Sequence, residues 1–265
     1  MEHNKISLIL HLLENYNFQV HCISSGYGLT DDIIDMLKSL EMDIKLSISL
    51  NGSTEEIHGL SRDGYKYGIA AIKKLVKNNI QTGINWVCRR DNVRDFPLLV
   101  EYAKENHVSW INIAANKLTG SGMLDSPLET DDYVFLLDYL KNQTVVDKKF
   151  IRVQYCFSLL NDLRDFGINQ HLSRCPAGSL SCCVDVNGNY LPCTHLYFPE
   201  KFGSIAEYWN QSEVLNELRI INISQKNCSG CAKSSPCHFC KAMFINTAEH
   251  FSEKPKDCPV MVLYN

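Results

Sequence analysis

Nine of the chain's twelve cysteines lie between residues 175 and 258, and few folds accommodate that density of thiols. They are Cys175, Cys182, Cys183, Cys193, Cys228, Cys231, Cys237, Cys240 and Cys258; Cys22, Cys88 and Cys156 are scattered ahead of them. Twelve residues separate Cys175 from Gly188, and four separate Gly188 from Cys193. The later group runs Cys228-x2-Cys231-x5-Cys237-x2-Cys240, with Cys258 following. A Cys-x-x-Cys turn brings two thiolates onto one metal centre, and its successive backbone N–H groups can point at the sulfurs and offset their charge. Asn187-Gly188 is a tight-turn signal between two strand-like pieces, residues 183–186 and 190–191. A hairpin there carries Cys193 back towards Cys175.

Three chemistries compete for these thiols. Disulfides are disfavoured: the start, Met1-Glu2-His3-Asn4-Lys5, is not a cationic signal region, His11 breaks the apolar stretch that follows, and nine is an odd count. Zinc would use the two Cys-x-x-Cys pairs as one tetrahedral site. The five-residue gap between them is short against the roughly 15–20 of a zinc ribbon, and Cys175, Cys193 and Cys258 would be left without a task. Iron–sulfur clusters use nearly all of the thiolates, since each cubane takes about four. A net charge of −4 leaves no basic footprint for nucleic acid, and nothing approaches ~18 consecutive apolar residues, so no membrane span is expected. The chain reads as a soluble, cytoplasmic protein.

Ahead of the cysteines the pattern is different. Residues 18–24 read as a strand, and Thr30 then caps a helix with Asp31 and Asp32 in its first turn, where the helix dipole favours negative charge. Its apolar stripe is Ile33, Met36, Leu37 and Leu40. Ile44, Leu46, Ile48 and Leu50 alternate with Lys45, Ser47 and Ser49, a period of two. Ile69, Ile72, Leu75 and Val76 form a second helical stripe, residues 80–87 a third strand, 97–106 a helix with Leu99, Tyr102 and Ala103 on one face, and 110–114 a fourth strand. After a Gly/Ser-rich loop over 118–127, Thr130 caps a helix to about residue 142, and 150–155 is again strand-like. Repeated strand–helix–strand units need crossover connections and so a parallel sheet, open or partly barrel-shaped, with ligands gathering at the C-terminal strand ends. Near residue 172 short turns, glycines and cysteines replace the long periodic segments.

The cysteine text resembles the SPASM domain that follows the radical SAM core of many peptide- and protein-modifying enzymes. The resemblance rests on Cys-x12-Gly-x4-Cys, on Cys-x2-Cys-x5-Cys with a further and a last cysteine, and on Cys175-Pro176-Ala177-Gly178, Asn187-Gly188-Asn189-Tyr190-Leu191-Pro192-Cys193 and Phe202-Gly203-Ser204-Ile205. It implies that Cys228, Cys231, Cys237 and Cys258 hold an outer auxiliary 4Fe-4S cluster, and Cys175, Cys193 and Cys240 an inner one. Cys182 or Cys183 is the candidate fourth inner ligand. Two residues, not the family's three, precede Cys240. In sulfatase-maturating relatives an acidic residue directly follows the second inner cysteine; here Thr194 and then His195 follow Cys193, and His195 is the candidate base.

The first half is similar to the later strands of a radical SAM core. Ser24-Ser25-Gly26 stands where the family has Thr-Asn-Gly, Ser49-Leu50-Asn51-Gly52 resembles its Ser-Leu-Asp-Gly, and His58 to Arg62 resembles the His-then-Arg stretch that follows. The resemblance implies that Ser49 and Arg62 bind S-adenosylmethionine. The family's Cys-x3-Cys-x2-Cys triplet, which binds the S-adenosylmethionine-cleaving cluster, occurs nowhere in the sequence, and neither does its Gly-Gly-Glu-Pro companion. The expected architecture is α/β: a partial parallel radical-SAM-type barrel lacking its first strands over residues 1–171, then a small SPASM domain over 172–265. The expected function is the C-terminal portion of a maturase acting on a peptide or protein, or else a non-catalytic iron–sulfur module for peptide binding or electron transfer. The expected partners, besides substrate, are the missing N-terminal segment and an electron donor. An uncovered sheet edge favours a fragment over a natural partner protein. The chain alone is then expected to be poorly soluble until that segment is co-expressed.

Overall fold

The computed structural model describes residues 5–16, 18–117, 128–144, 149–154 and 176–220, with 240 and 242. These fall into two compact units. One contains the described residues up to 115 and from 131 to 154; the other contains those from 116 to 130 and from 176 onward.

The first unit is a five-stranded parallel sheet in sequential order. After helix α1 (Ile6–Glu14) come β1 (Val20–Ser24), α2 (Asp31–Ser39), β2 (Ile44–Ser49), the short α3 (Glu55–Gly59), α4 (Tyr65–Lys77) and β3 (Thr82–Cys88). Then follow α5 (Phe96–Glu105), β4 (Trp110–Ala115), α6 (Thr130–Lys141) and β5 (Ile151–Val153). The local causes are the ones the sequence offers. Thr30 accepts from the Ile33 amide at 3.4 Å and caps α2, and Pro97 sits in the first turn of α5, where it gives up no hydrogen bond. Two details differ from expectation. The buried line of α2 is Ile34, Leu37 and Leu40, with Ile33 and Met36 only half covered, because the sheet meets the helix one residue further round. Thr130 is the first helical residue of α6 rather than its cap.

Alternation along the strands divides the sheet into two unlike faces. One carries Leu46, Ile48, Ile84, Trp86, Ile111, Ile113, Ile151 and Val153, all buried, and with Ile72, Leu75, Phe96, Leu99, Leu136 and Leu140 of the helices they form the core. Each such side chain contributes about 1.5–3 kcal/mol on full burial. Trp86 packs on Phe96 at 4.4 Å between ring centroids. The other face carries Ser47, Ser49, Gly83, Asn85, Trp110, Asn112 and Arg152. A parallel sheet built only for stability would be apolar on both sides.

In the second unit β6 (Cys183–Val184) and β7 (Tyr190–Leu191) form the expected antiparallel hairpin, Cys183 opposite Leu191. Gly188 takes φ +78° at the turn, and the Asp185 carboxylate accepts from the amides of Asn187 and Asn189 at 2.8 and 2.9 Å. Helices α7 (Ile205–Gln211) and α8 (Glu213–Ile220) follow, Ser204 capping the first through the Glu207 amide at 3.2 Å. Tyr208, Leu215 and Leu218 are fully buried beneath the hairpin and helices.

Candidate functional site

The C-terminal ends of β2 and β3 are tied together by Asn51, His58 and Asn92, each almost fully buried. The Asn51 side chain accepts from the Val87 amide at 3.1 Å and donates to Ser61 Oγ at 2.9 Å. Asn92 donates to the carbonyls of Asn51 and Val87 at 3.0 and 2.9 Å, and accepts from the Arg89 amide at 2.8 Å. His58 Nδ1 accepts from the Asn51 amide at 3.2 Å, so Nε2 carries the proton and donates to the Asp63 carbonyl at 3.0 Å. Burial lowers the His58 pKa, with the Arg62 charge adding to it against the pull of the Asp63 carbonyl and carboxylate. A neutral imidazole thus pins both ends of the loop from residue 51 to 63.

Arg62 lies on that loop, half-buried, its pKa lowered by desolvation, and its guanidinium forms no hydrogen bond or ion pair among the described residues. Ser49 ends β2, 8% exposed, and its hydroxyl likewise has no hydrogen-bond partner among them. Ser49 opens a polar row that crosses four strands in register: Ser49, Asn85, Asn112 and Arg152. Asn112 donates to Asn85 Oδ1 at 2.8 Å. One step lower, Trp110 lies flat across Gly83; a Cβ on Gly83 would fall 2.1 Å from the indole. Arg152 stacks over that indole at 4.5 Å, and His21 meets its edge at 5.8 Å while bonding Ser47 Oγ at 2.7 Å. The face offers amides, hydroxyls and a cation to a polar, anionic or zwitterionic ligand.

In the second unit the turn after β7 turns its amides towards sulfur. The His195 amide donates to Cys193 Sγ at 3.3 Å, and the Thr194 amide acts on the Cys183 thiol. Burial pushes the Cys183 thiol up, Cys182 adds to this, and the Thr194 amide opposes both. Cys182 is half-buried, its thiol also raised by desolvation, and Cys240 is buried at 4% exposure. An amide aimed at the Cys193 sulfur suits a thiolate that carries charge, as a metal ligand does. Desolvation and then the Lys117 charge lower the His195 pKa to about 4, although the residue is exposed to solvent. Cys175, Cys228, Cys231, Cys237 and Cys258 lie outside the described residues, and among the described ones no three His, Cys, Asp or Glu side chains converge on a metal position.

No family model matches the chain. The AdoMet-dependent heme synthase of Methanosarcina barkeri is 22% identical over 254 residues, covering 88% of this chain and 72% of that protein. Streptococcus suis SuiB, solved with S-adenosylmethionine, superposes with a TM-score of 0.73 at 15% identity over 97% of this chain; its complex with the precursor peptide SuiA gives the same score at 16% identity over 93%. The fold is that of the radical SAM enzymes. Native anSMEcpe with bound AdoMet shares it at a TM-score of 0.67 and 16% identity, covering 91% of this chain and 70% of that one. The chain spans 63% and 60% of the two SuiB chains, less than two thirds of their length.

Within this radical SAM fold, Ser49 sits at a strand end and Arg62 on the loop that follows, where the sequence reading placed them. Asn85, Asn112 and Arg152 went unremarked there. Their signal was present: polar residues at alternate positions of strands that a parallel sheet should make apolar throughout. No helix among the described residues is long and apolar enough to cross a membrane.

Proposed function

We propose that the chain is the C-terminal portion of a radical SAM/SPASM maturase that modifies a peptide or protein substrate and carries two auxiliary 4Fe-4S clusters. The observation that carries this reading is the turn after β7, where the His195 amide donates to Cys193 Sγ at 3.3 Å and the Thr194 amide draws the Cys183 thiol down against its burial. It favours Cys183 over Cys182 as the fourth inner ligand, beside Cys175, Cys193 and Cys240. Cys228, Cys231, Cys237 and Cys258 would hold the outer cluster. Ser49 and Arg62, with the row from Asn85 to Arg152, would bind S-adenosylmethionine and orient it at the strand ends. A 4Fe-4S cluster with S-adenosylmethionine supplies one-electron cleavage chemistry, and its cysteine triplet would come from a companion segment. The domain division proposed is 1–171 and 172–265. SuiB's complex with its precursor peptide supports a peptide substrate.

The missing cysteine triplet favours a second reading, a non-catalytic iron–sulfur module that binds a peptide or passes electrons. Anaerobic purification tests the shared part. Brown protein with iron and acid-labile sulfide is expected, and Cys231→Ala should lose about half of the iron, since each cubane draws on about four cysteines. Colourless, zinc-loaded protein would refute both readings. Co-expression with a polypeptide carrying Cys-x3-Cys-x2-Cys separates them: cleavage of S-adenosylmethionine by the pair supports the maturase, and none supports the module.

A further inference from the structure

Arg152 ends the polar row by its Cα, opposite Asn112, but its charge does not lie in the row. The guanidinium turns one step down the sheet and rests over the Trp110 indole at 4.5 Å. That ring is 1% exposed and lies flat on Gly83. From the other side His21 meets the indole edge at 5.8 Å, held by its bond with Ser47 Oγ at 2.7 Å.

This cluster is basic and uncompensated. Arg152 makes no hydrogen bond or ion pair among the described residues, and desolvation lowers its pKa. The charges that act on His21 are those of Arg152 and Lys45, both positive, and Lys45 has its own partner in Asp43 at 3.2 Å. Covering an indole does not call for a charge; leucine or methionine would do so without drawing a cation out of water. Stacking takes one face of the guanidinium and leaves the N–H edge of its planar fork, which matches a carboxylate, on a residue still exposed to solvent.

Position separates this cation from the one at the strand ends. S-adenosylmethionine carries a single carboxylate, and Arg62, on the loop after β2, is already an unpaired cation for it. Arg152 stands three strands from Ser49, about 14 Å at the usual strand spacing of about 4.8 Å. A second unpaired cation so placed answers a second anion.

We propose that Arg152, held on the Trp110 indole, is a specificity-determining residue that binds a carboxylate of the substrate. The inference rests on the maturase reading above and refines it, giving the last member of the row to the substrate and leaving Ser49, Asn85 and Asn112 to S-adenosylmethionine. The peptide taken is then one that presents an acidic side chain or a free C-terminus to this sheet face.

The test titrates the full chain and its Arg152→Gln variant, purified anaerobically, with three probes followed by calorimetry. These are an end-blocked alanine pentapeptide with glutamate at its centre, the same peptide with glutamine, and the glutamine peptide with a free C-terminal carboxylate. The parent should bind one of the two carboxylate peptides about tenfold more tightly than the blocked glutamine peptide, as a charge-assisted hydrogen bond allows. Which one it prefers identifies the carboxylate as side-chain or terminal. Arg152→Gln should lose that preference, while its affinities for the blocked glutamine peptide and for S-adenosylmethionine stay at the parental values. A parent with no preference, or a variant that keeps it, overturns the inference alone. So does a variant that loses affinity for S-adenosylmethionine, which returns the guanidinium to that ligand and leaves the maturase reading standing. A parent that binds neither S-adenosylmethionine nor any of the peptides overturns that reading and this inference with it.

Discussion

Replacing His58 with alanine should cost the first unit about 3 kcal/mol. The imidazole is 1% exposed and closes two hydrogen bonds, one from the Asn51 amide and one to the Asp63 carbonyl. Removing it strands a buried N–H, which costs about 1–3 kcal/mol, and leaves a ring-sized void that adds to the loss. Set against a total stability of about 5–15 kcal/mol, that is a large fraction. The pH dependence has a definite sign. Burial holds the folded pKa of His58 below its unfolded value of 6.5, so its contribution is complete above that value and falls away as pH drops through 6.5 towards the folded pKa. The slope attributable to one such proton reaches about 1.4 kcal/mol per pH unit. Urea unfolding followed by the fluorescence of Trp86 and Trp110, both buried in this unit, reads both effects. The variant should lose stability at pH 7.5 and show a flatter profile between pH 7.5 and 5.5 than the parent. A loss under about 1 kcal/mol, or identical pH profiles, would refute the claim that a neutral His58 holds the loop bearing Arg62.

Gly83→Ala should destabilise by about 3 kcal/mol or more, since its Cβ would meet a Trp110 indole that is 1% exposed and has nowhere to go. Combining it with Trp110→Leu should cost less than the two changes added; strict additivity in chemical unfolding would show that the two residues do not touch. At the sulfur site, Cys183→Ala should lower the iron content of anaerobically loaded protein, whereas Cys182→Ala should leave it near the parental value. The opposite ranking would reassign the fourth ligand.

The parallel sheet was legible because its helices and strands announce themselves separately. Ile44, Leu46 and Ile48 alternate with polar partners, and Thr30 with Asp31 and Asp32 marks the start of α2. The hairpin at Asn187-Gly188 was legible for a similar reason: a left-handed glycine at position 188 leaves little choice of turn. What could not be read was anything requiring registration between distant segments. Period two shows that Asn85 and Asn112 share a face within their own strands, but only strand pairing puts them beside Ser49 and Arg152 in one row. The role of His58 was hidden likewise. In sequence it is a polar residue near a glycine; its function depends on the Asn51 amide and the Asp63 carbonyl meeting it from opposite sides.

The departures from a purely stabilising design fall at the places proposed to work. Valine at positions 47, 49, 85 and 112 would suit an interior parallel strand better than the serines and asparagines that stand there. None of these polar groups is needed to specify the fold, because the opposite sheet face and the Tyr190–Tyr208–Phe202 stack already do so. A chain selected for packing alone would discard them. The polar sheet face, on which the Ser49 hydroxyl has no hydrogen-bond partner among the described residues, has one physical reading: it awaits a polar group that arrives from outside the polypeptide.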